Sequence, residues 1–173
     1  MVLVGLGSNR GDSTEIVEKA LQALASFALP YSLRSSALWR TSPVNCPPGS
    51  GDFINAAAVF DAQPQLTPEA LLAGLRQLER EFGRPAEYAR NAPRELDLDL
   101  LLFDDQTRDS LEFTLPHPRA IDRLFVLKPA AQLIPTTRWP GTGQTIKQLL
   151  EQLETDEVVY ALEERPPYFD PQR

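Results

Sequence analysis

Glu95-Leu96-Asp97-Leu98-Asp99-Leu100-Leu101-Leu102-Phe103 is the stretch that decides the fold. Acidic and apolar residues alternate through it, and a period of two is that of a β-strand. Leu96, Leu98, Leu100 and Leu102 take one face, while Glu95, Asp97, Asp99 and Leu101 take the other. Upstream, Thr67-Pro68 predicts a helix start, because threonine caps well and proline suits the first helical position. Leu71, Leu72, Leu75 and Leu78 give that helix an apolar stripe as far as Gly83. Phe53 to Ala62 and Leu33 to Arg40 read as two further strands. Val2 to Leu6 reads as a short buried strand, ending at the turn Gly7-Ser8-Asn9-Arg10-Gly11. Asp12 and Glu15 have the spacing of a capping box for a helix carrying Ile16, Ala20, Leu24 and Phe27, which Pro30 stops.

The resulting order, β-α-β-β-α-β, predicts an α+β fold. It suits a ferredoxin-like βαββαβ core: an antiparallel sheet with helices on one face, plus a C-terminal extension. Within the extension, Pro116-His117-Pro118 cannot be helical throughout. Ile146 to Leu153 predicts a short helix and Val158 to Leu162 a last strand. Residues 1–164 are expected to form one domain, and 165–173, with three prolines, a tail.

The net charge of -7 argues against nucleic-acid and anionic-membrane partners. The cations are uneven, however: of 14 Arg and 3 Lys, five Arg fall between Arg76 and Arg94. That cluster suggests a local anion site, the plainer alternative being a solvated helix face. Cys46 is the single cysteine, so no internal disulfide forms; this fits a reducing, cytoplasmic setting. Met1 leads directly into Val-Leu-Val-Gly, which reads as a strand start and not as a secretory signal. No apolar run approaches the roughly 18 residues that span a bilayer.

Asp97 and Asp99 are two apart on one strand, so both carboxylates project from one face with Cα atoms about 6.5–7 Å apart. They repel each other, and Glu95 adds to the repulsion. A divalent cation relieves it, and oxygen ligands with room for water and phosphate suit magnesium. The alternative is an acidic, solvated strand face. Arg84, Arg90 and Arg94 lie just upstream, where guanidinium groups could grip phosphate oxygens or pair with Glu79, Glu81, Glu87 or Glu95. A metal beside an Arg-bearing loop is the equipment of phosphoryl transfer. His117, the only histidine, could donate to a phosphate, carry a proton or have no role. Gly5 to Gly11 lacks the Walker ending, and Arg10 occupies a glycine position of the dinucleotide fingerprint. It reads as a tight turn bordering a ligand. Thr41, Pro43, Val44, Phe53 and Asn55 could hold a flat heterocycle, although Phe53 could equally be core.

In order along the chain, these pieces resemble the 6-hydroxymethyl-7,8-dihydropterin pyrophosphokinase family. The resemblance rests on Gly7-Ser8-Asn9, Thr41-Ser42-Pro43-Val44, Phe53-Ile54-Asn55-Ala56, Glu79 with Gly83-Arg84, and Pro116-His117-Pro118-Arg119. Pro93-Arg94-Glu95-Leu96-Asp97-Leu98-Asp99 is its most specific part, and Arg123-Leu124-Phe125-Val126-Leu127 completes it. It implies transfer of diphosphate from ATP to a hydroxymethyl-dihydropterin in folate synthesis, with AMP leaving. It further implies that Asp97 and Asp99 hold two Mg2+ ions and that Arg84 and Arg94 contact the triphosphate on a closing loop. Glu79, Leu100, Thr114, His117 and Arg123 would line the ATP site. Thr41, Val44, Phe53, Asn55 and Phe125 would hold the pterin, with Pro43 in the same loop. Small-molecule substrates and a monomer are expected. Three positions depart from the family: Asn91 stands where an aromatic residue is frequent, Glu95 where threonine is, and Ala86 where some members are basic. The competing readings are a catalytically silent paralogue and a ferredoxin-like binding module, for which the acidic strand face is a poor RNA platform.

Overall fold

The computed structural model describes residues 1–42, 51–83 and 95–162. Pro43, Val44, Arg84, Ala86, Asn91, Arg94 and the tail 165–173 lie outside these residues.

Strand β1 (Val2–Ser8) leads into helix α1 (Ser13–Ala23) and a tighter helical turn over Leu24–Phe27. Asp12 caps α1 by accepting from the Glu15 N–H at 3.0 Å. Half of the expected capping box is therefore present; the Glu15 carboxylate pairs with Lys19 at 2.7 Å. The single strand expected over residues 33–40 is split into β2 (Arg34–Ser35) and β3 (Trp39–Thr41). Side chains cause the break. Ser36 Oγ accepts from the Ala57 N–H at 2.9 Å, and Gln132 Oε1 accepts from the Ala37 N–H at 2.9 Å, so both replace ladder carbonyls. Strand β4 (Phe53–Phe60) then leads to α2 (Pro68–Glu81), capped by Thr67 through the Ala70 N–H at 3.1 Å. Strand β5 (Asp97–Phe103) and a small hairpin of β6 (Arg108–Asp109) and β7 (Thr114–Leu115) follow. Helices α3 (Leu124–Leu133) and α4 (Ile146–Gln152) and strand β8 (Val159–Ala161) close the described chain.

The main sheet runs β5-β1-β4-β3-β8, with β2 also paired to β4, and every pairing is antiparallel. One face buries Val2, Val4 and Leu6 of β1 against Val17, Leu21, Leu71 and Leu75 of α1 and α2. The other buries Leu3, Ala57 and Val59 under Val126, Leu127 and Leu133 of α3 and Ile146 and Leu149 of α4. The sheet is thus covered on both faces, where the expectation put helices on one. The second layer comes from α3 and α4, and the helical character of residues 124–133 was hidden by Pro129 within it.

The alternation through β5 also ends early. The pairing of β1 with β5 shifts between Leu3 and Val4, and Leu101 and Leu102 both enter the α3 side while Phe103 enters the α1 side. A bulge of this kind turns successive side chains to the same layer. Asp97 and Asp99 precede it and keep their common face.

Gly74 lies within α2 where a Cβ would meet the Phe27 ring at 2.6 Å. Replacing a mid-helix glycine by alanine ordinarily stabilises by about 0.5–1 kcal/mol, but overpacking costs about 1–3 kcal/mol. Gly74→Ala should therefore lower stability in urea denaturation, and should raise it in a Phe27→Ala background. A stabilising effect in both backgrounds would refute the packing argument.

Candidate functional site

The centre of the site is the α3-facing side of β1, which carries no side chain at two positions. Gly5 is paired with Asp99 on one side and Ala57 on the other. Gly7 is paired with Asp97 and Asn55. Residues directly opposite each other in a ladder project to the same face. Asp97 and Asn55 therefore flank a bare strip two strand spacings wide, roughly 10 Å. A Cβ on Gly5 would meet Leu101 at 3.3 Å and the Asp99 Cβ at 3.8 Å, and one on Gly7 would meet Asn55 Oδ1 at 2.9 Å. Glycine at both positions therefore makes room for the neighbouring Leu101 and Asn55 side chains, between an acidic bank and an amide bank.

On the acidic bank, Asp97 and Asp99 are half-buried. The loop after β7 docks on β5 through the His117 N–H, which donates to the Leu101 carbonyl at 3.2 Å. This places His117 Nε2 3.8 Å from Asp99 Oδ1. At the start of α3, burial and then Arg119 push the Arg123 pKa down, and the charges of Asp99, Asp97 and Glu157 oppose them only in part. Burial, then Arg123 and Arg119, push the His117 pKa down, and the charge of Asp97 opposes them only in part. His117 is therefore neutral near pH 7. Buried Glu79 braces the entry of β5, its Oε1 accepting from the Leu98 N–H at 2.8 Å. Thr114 is exposed on β7, whose hairpin is tied to α2 by Arg108 Nε on Glu69 Oε1 at 2.5 Å. The Leu100 side chain lies in the α1-side core, so only its backbone can border the acidic bank.

On the amide bank, Asn55 is buried and its Nδ2 donates to Thr41 Oγ1 at 2.8 Å. Thr41 is paired with Phe53 and Trp39 with Asn55, so all four share the face. Phe125 follows from α3, and the Arg123 guanidinium sits 5.4 Å from its ring centroid.

Among the described site residues, the structure brings Asp97, Asp99, His117 and Arg123 together on one bank and Thr41, Phe53 and Asn55 on the other. Pro43, Val44, Arg84 and Arg94 lie outside the described residues. Trp39 and Arg119 were not singled out as site residues from the sequence. Trp39 has the strand register of Asn55 as its only signal, and Arg119 adjoins His117 within a recognised motif. The departure at Glu95 has a local partner, with Arg10 Nε 3.4 Å from its Oε1.

The described residues contain no group of three or more His, Cys, Asp or Glu side chains able to enclose a metal. Two carboxylates with an open side fit a hard cation that keeps water and takes further oxygens from a ligand, as Mg2+ does, better than a closed structural site. No helix among the described residues is long and apolar enough to cross a membrane.

Cationic and carboxylate groups on one bank, with an amide and aromatic residues on the other, suit an enzyme that joins a polyanion to a flat polar acceptor. The pattern of the 7,8-dihydro-6-hydroxymethylpterin-pyrophosphokinase (HPPK) family matches residues 3–135, and the chain belongs to that family. It is 35% identical over 152 residues to the 2-amino-4-hydroxy-6-hydroxymethyldihydropteridine pyrophosphokinase of Synechocystis sp., covering 88% of this chain and 75% of the relative. The enzyme of the same name from Pseudomonas aeruginosa is 36% identical over 149 residues, covering 86% and 89%. The fold matches that of Plasmodium falciparum HPPK-DHPS, wild type with SDX-DHP, at a TM-score of 0.68 and 15% identity. That match takes in 87% of this chain but 44% of the longer one.

The sign of the His117 effect is testable in metal-free protein. Its folded pKa lies below the ordinary 6.5, so both states are neutral above that value and stability is then at its fullest. As pH falls through 6.5 the unfolded chain takes a proton that the folded one resists, and stability drops until the folded pKa is passed. Denaturant titrations between pH 8 and 5, values spanning the histidine range, should show this slope, and His117→Gln should flatten it. An equal slope in the variant would place its origin elsewhere.

Proposed function

We propose that this chain transfers diphosphate from ATP to the hydroxymethyl group of 6-hydroxymethyl-7,8-dihydropterin, a step of folate synthesis, and releases AMP. The observation that carries this reading is the glycine strip with Asp97 and Asp99 on one side and Asn55 on the other. Its two banks would take a polyanion and a flat ring side by side. The covalent change is one bond made and one broken: the substrate oxygen bonds to the β-phosphorus as the bridge to the α-phosphate breaks. The hydroxyl proton is released, and AMP carries the bridging oxygen away.

Asp97 and Asp99 would hold Mg2+, expected as two ions, and the metal would neutralise charge on the phosphate oxygens. Arg123 supports the same bank from the start of α3, and neutral His117 presents a ring N–H towards it. Arg84 and Arg94 are proposed as further triphosphate contacts from the sequence motif. Glu79 acts at one remove by holding the Leu98 amide. Thr114 is open to solvent at the rim, and Leu100 offers its backbone.

For the acceptor, the Asn55 amide reads the polar edge of the ring, and its bond to Thr41 fixes which way the amide points. Phe53 and Phe125 supply apolar contact to the ring faces, and Pro43 and Val44 are proposed to complete the pocket. A buried amide left without its partner disfavours a mismatched ring, which gives discrimination among heterocycles.

The strand order β5-β1-β4-β3 supports a ferredoxin-like reading of the core; one domain over 1–164, a monomer and a cytoplasmic setting are proposed from the sequence. Helices α3 and α4 cover the sheet face that an RNA-binding platform would leave open, which favours small-molecule partners.

Incubation with ATP, Mg2+ and the pterin should yield AMP and the pterin diphosphate in equal amounts by chromatography; ADP with a monophosphate ester would reject diphosphate transfer. Asp97→Ala or Asp99→Ala should remove nearly all turnover while the fold is retained by circular dichroism. Near-normal turnover of either at saturating Mg2+ would reject the metal assignment.

Calorimetric titration should separate the banks. Asn55→Ala should weaken pterin binding far more than ATP binding, and equal weakening of both in a folded variant would overturn the acceptor pocket.

A further inference from the structure

Helix α3 has no cap of its own. Arg123 precedes it and makes no side-chain hydrogen bond to its first turn. The opening N–H groups of a helix have no partners within it and need acceptors from outside. Here an acceptor comes from 33 residues further on, where Glu157 Oε2 takes the Leu124 N–H at 2.8 Å. The Glu157 backbone is itself fixed, its N–H donating to Thr155 Oγ1 at 3.2 Å. A carboxylate at a helix N-terminus is favoured by the helix dipole as well as by the hydrogen bond.

The capped amide lies between the two site residues of α3. Arg123 is on one side of Leu124 and Phe125 on the other, with guanidinium and ring 5.4 Å apart. Displacing the first turn would move both at once. Glu157 also lies beyond residues 3–135 that carry the family match.

We propose that Glu157 is a positioning residue: by capping α3 from outside, it fixes Arg123 against the bank that carries Asp97 and Asp99, and keeps Phe125 in line with it. This rests on the assignment of that bank to the nucleotide. The positioning role belongs to the acceptor oxygen on the Leu124 N–H, while the charge of Glu157 separately favours the Arg123 guanidinium. Glutamine retains a carbonyl acceptor and removes the charge, which makes it the discriminating replacement.

The test is calorimetric binding of a non-hydrolysable ATP analogue with Mg2+ to the full chain. Glu157→Ala should weaken binding roughly fivefold, the size of a lost helix cap, and Glu157→Gln should restore the wild-type value. In an Arg123→Ala background, Glu157→Ala should change binding no further, as expected for two residues acting as one unit. Thr145→Ala, which removes the capping box of α4, should lose comparable thermal stability and leave binding unchanged. Amide exchange at Leu124 should quicken in Glu157→Ala alone. Unchanged binding in Glu157→Ala, an equal loss with and without Arg123, or a Gln variant as weak as the Ala variant would each overturn the proposal. Binding and coupling as expected, without AMP formation by the wild type, would support the positioning role and reject only the transfer reaction.

Discussion

Strand β1 must satisfy two opposite demands, and the rest of the structure depends on both. Its Val2, Val4 and Leu6 side chains are locked into the core beneath α1 and α2. On the other face, Gly5 and Gly7 give way to the side chains of Leu101 and Asn55 beside Asp97 and Asp99. A strand with bulky residues on both faces would displace them. One with glycine on both would have too little apolar area to hold the sheet. The strict period of two is what allows stability and ligand space to occupy alternate residues of one strand.

The two banks are supported by different means. The acidic bank is electrostatically crowded, with two carboxylates, a neutral histidine and guanidinium groups around a half-buried surface. Its members come from β5, the loop after β7 and the start of α3, so its charge balance is set by tertiary packing. The amide bank is nearly local. Thr41, Phe53 and Asn55 lie on two adjacent strands, and one hydrogen bond fixes the polar pair. At the start of α3, the Arg123 guanidinium sits 5.4 Å from the Phe125 ring centroid.

What the sequence made legible follows the same division. Strands β1, β4 and β5 and helices α1 and α2 were readable because their signals are short-range: alternation, an apolar stripe, a cap at a fixed offset. Asp97 and Asp99 were readable as a pair for the same reason. Helix α3 was hidden because Pro129 lies inside it and much of its surface is apolar, which blurs the helical period. The bulge that sends Leu101 and Leu102 to one layer has no residue signature within β5. The split of the second strand depends on Gln132, which is remote in sequence. Glu157 could not be found by spacing at all, since its partner is 33 residues away.

Strand β8 is three residues long, and it pairs with β3 along Trp39–Thr41. Without it, the far edge of the sheet would present the open backbone N–H and C=O groups of the strand that carries the amide bank. Such an edge is a template for a strand from another molecule. A short final strand, Val159–Ala161, covers that edge while offering little length for a further strand to follow. The segment after the family-matching residues thus closes the backbone of the strand that carries the amide bank.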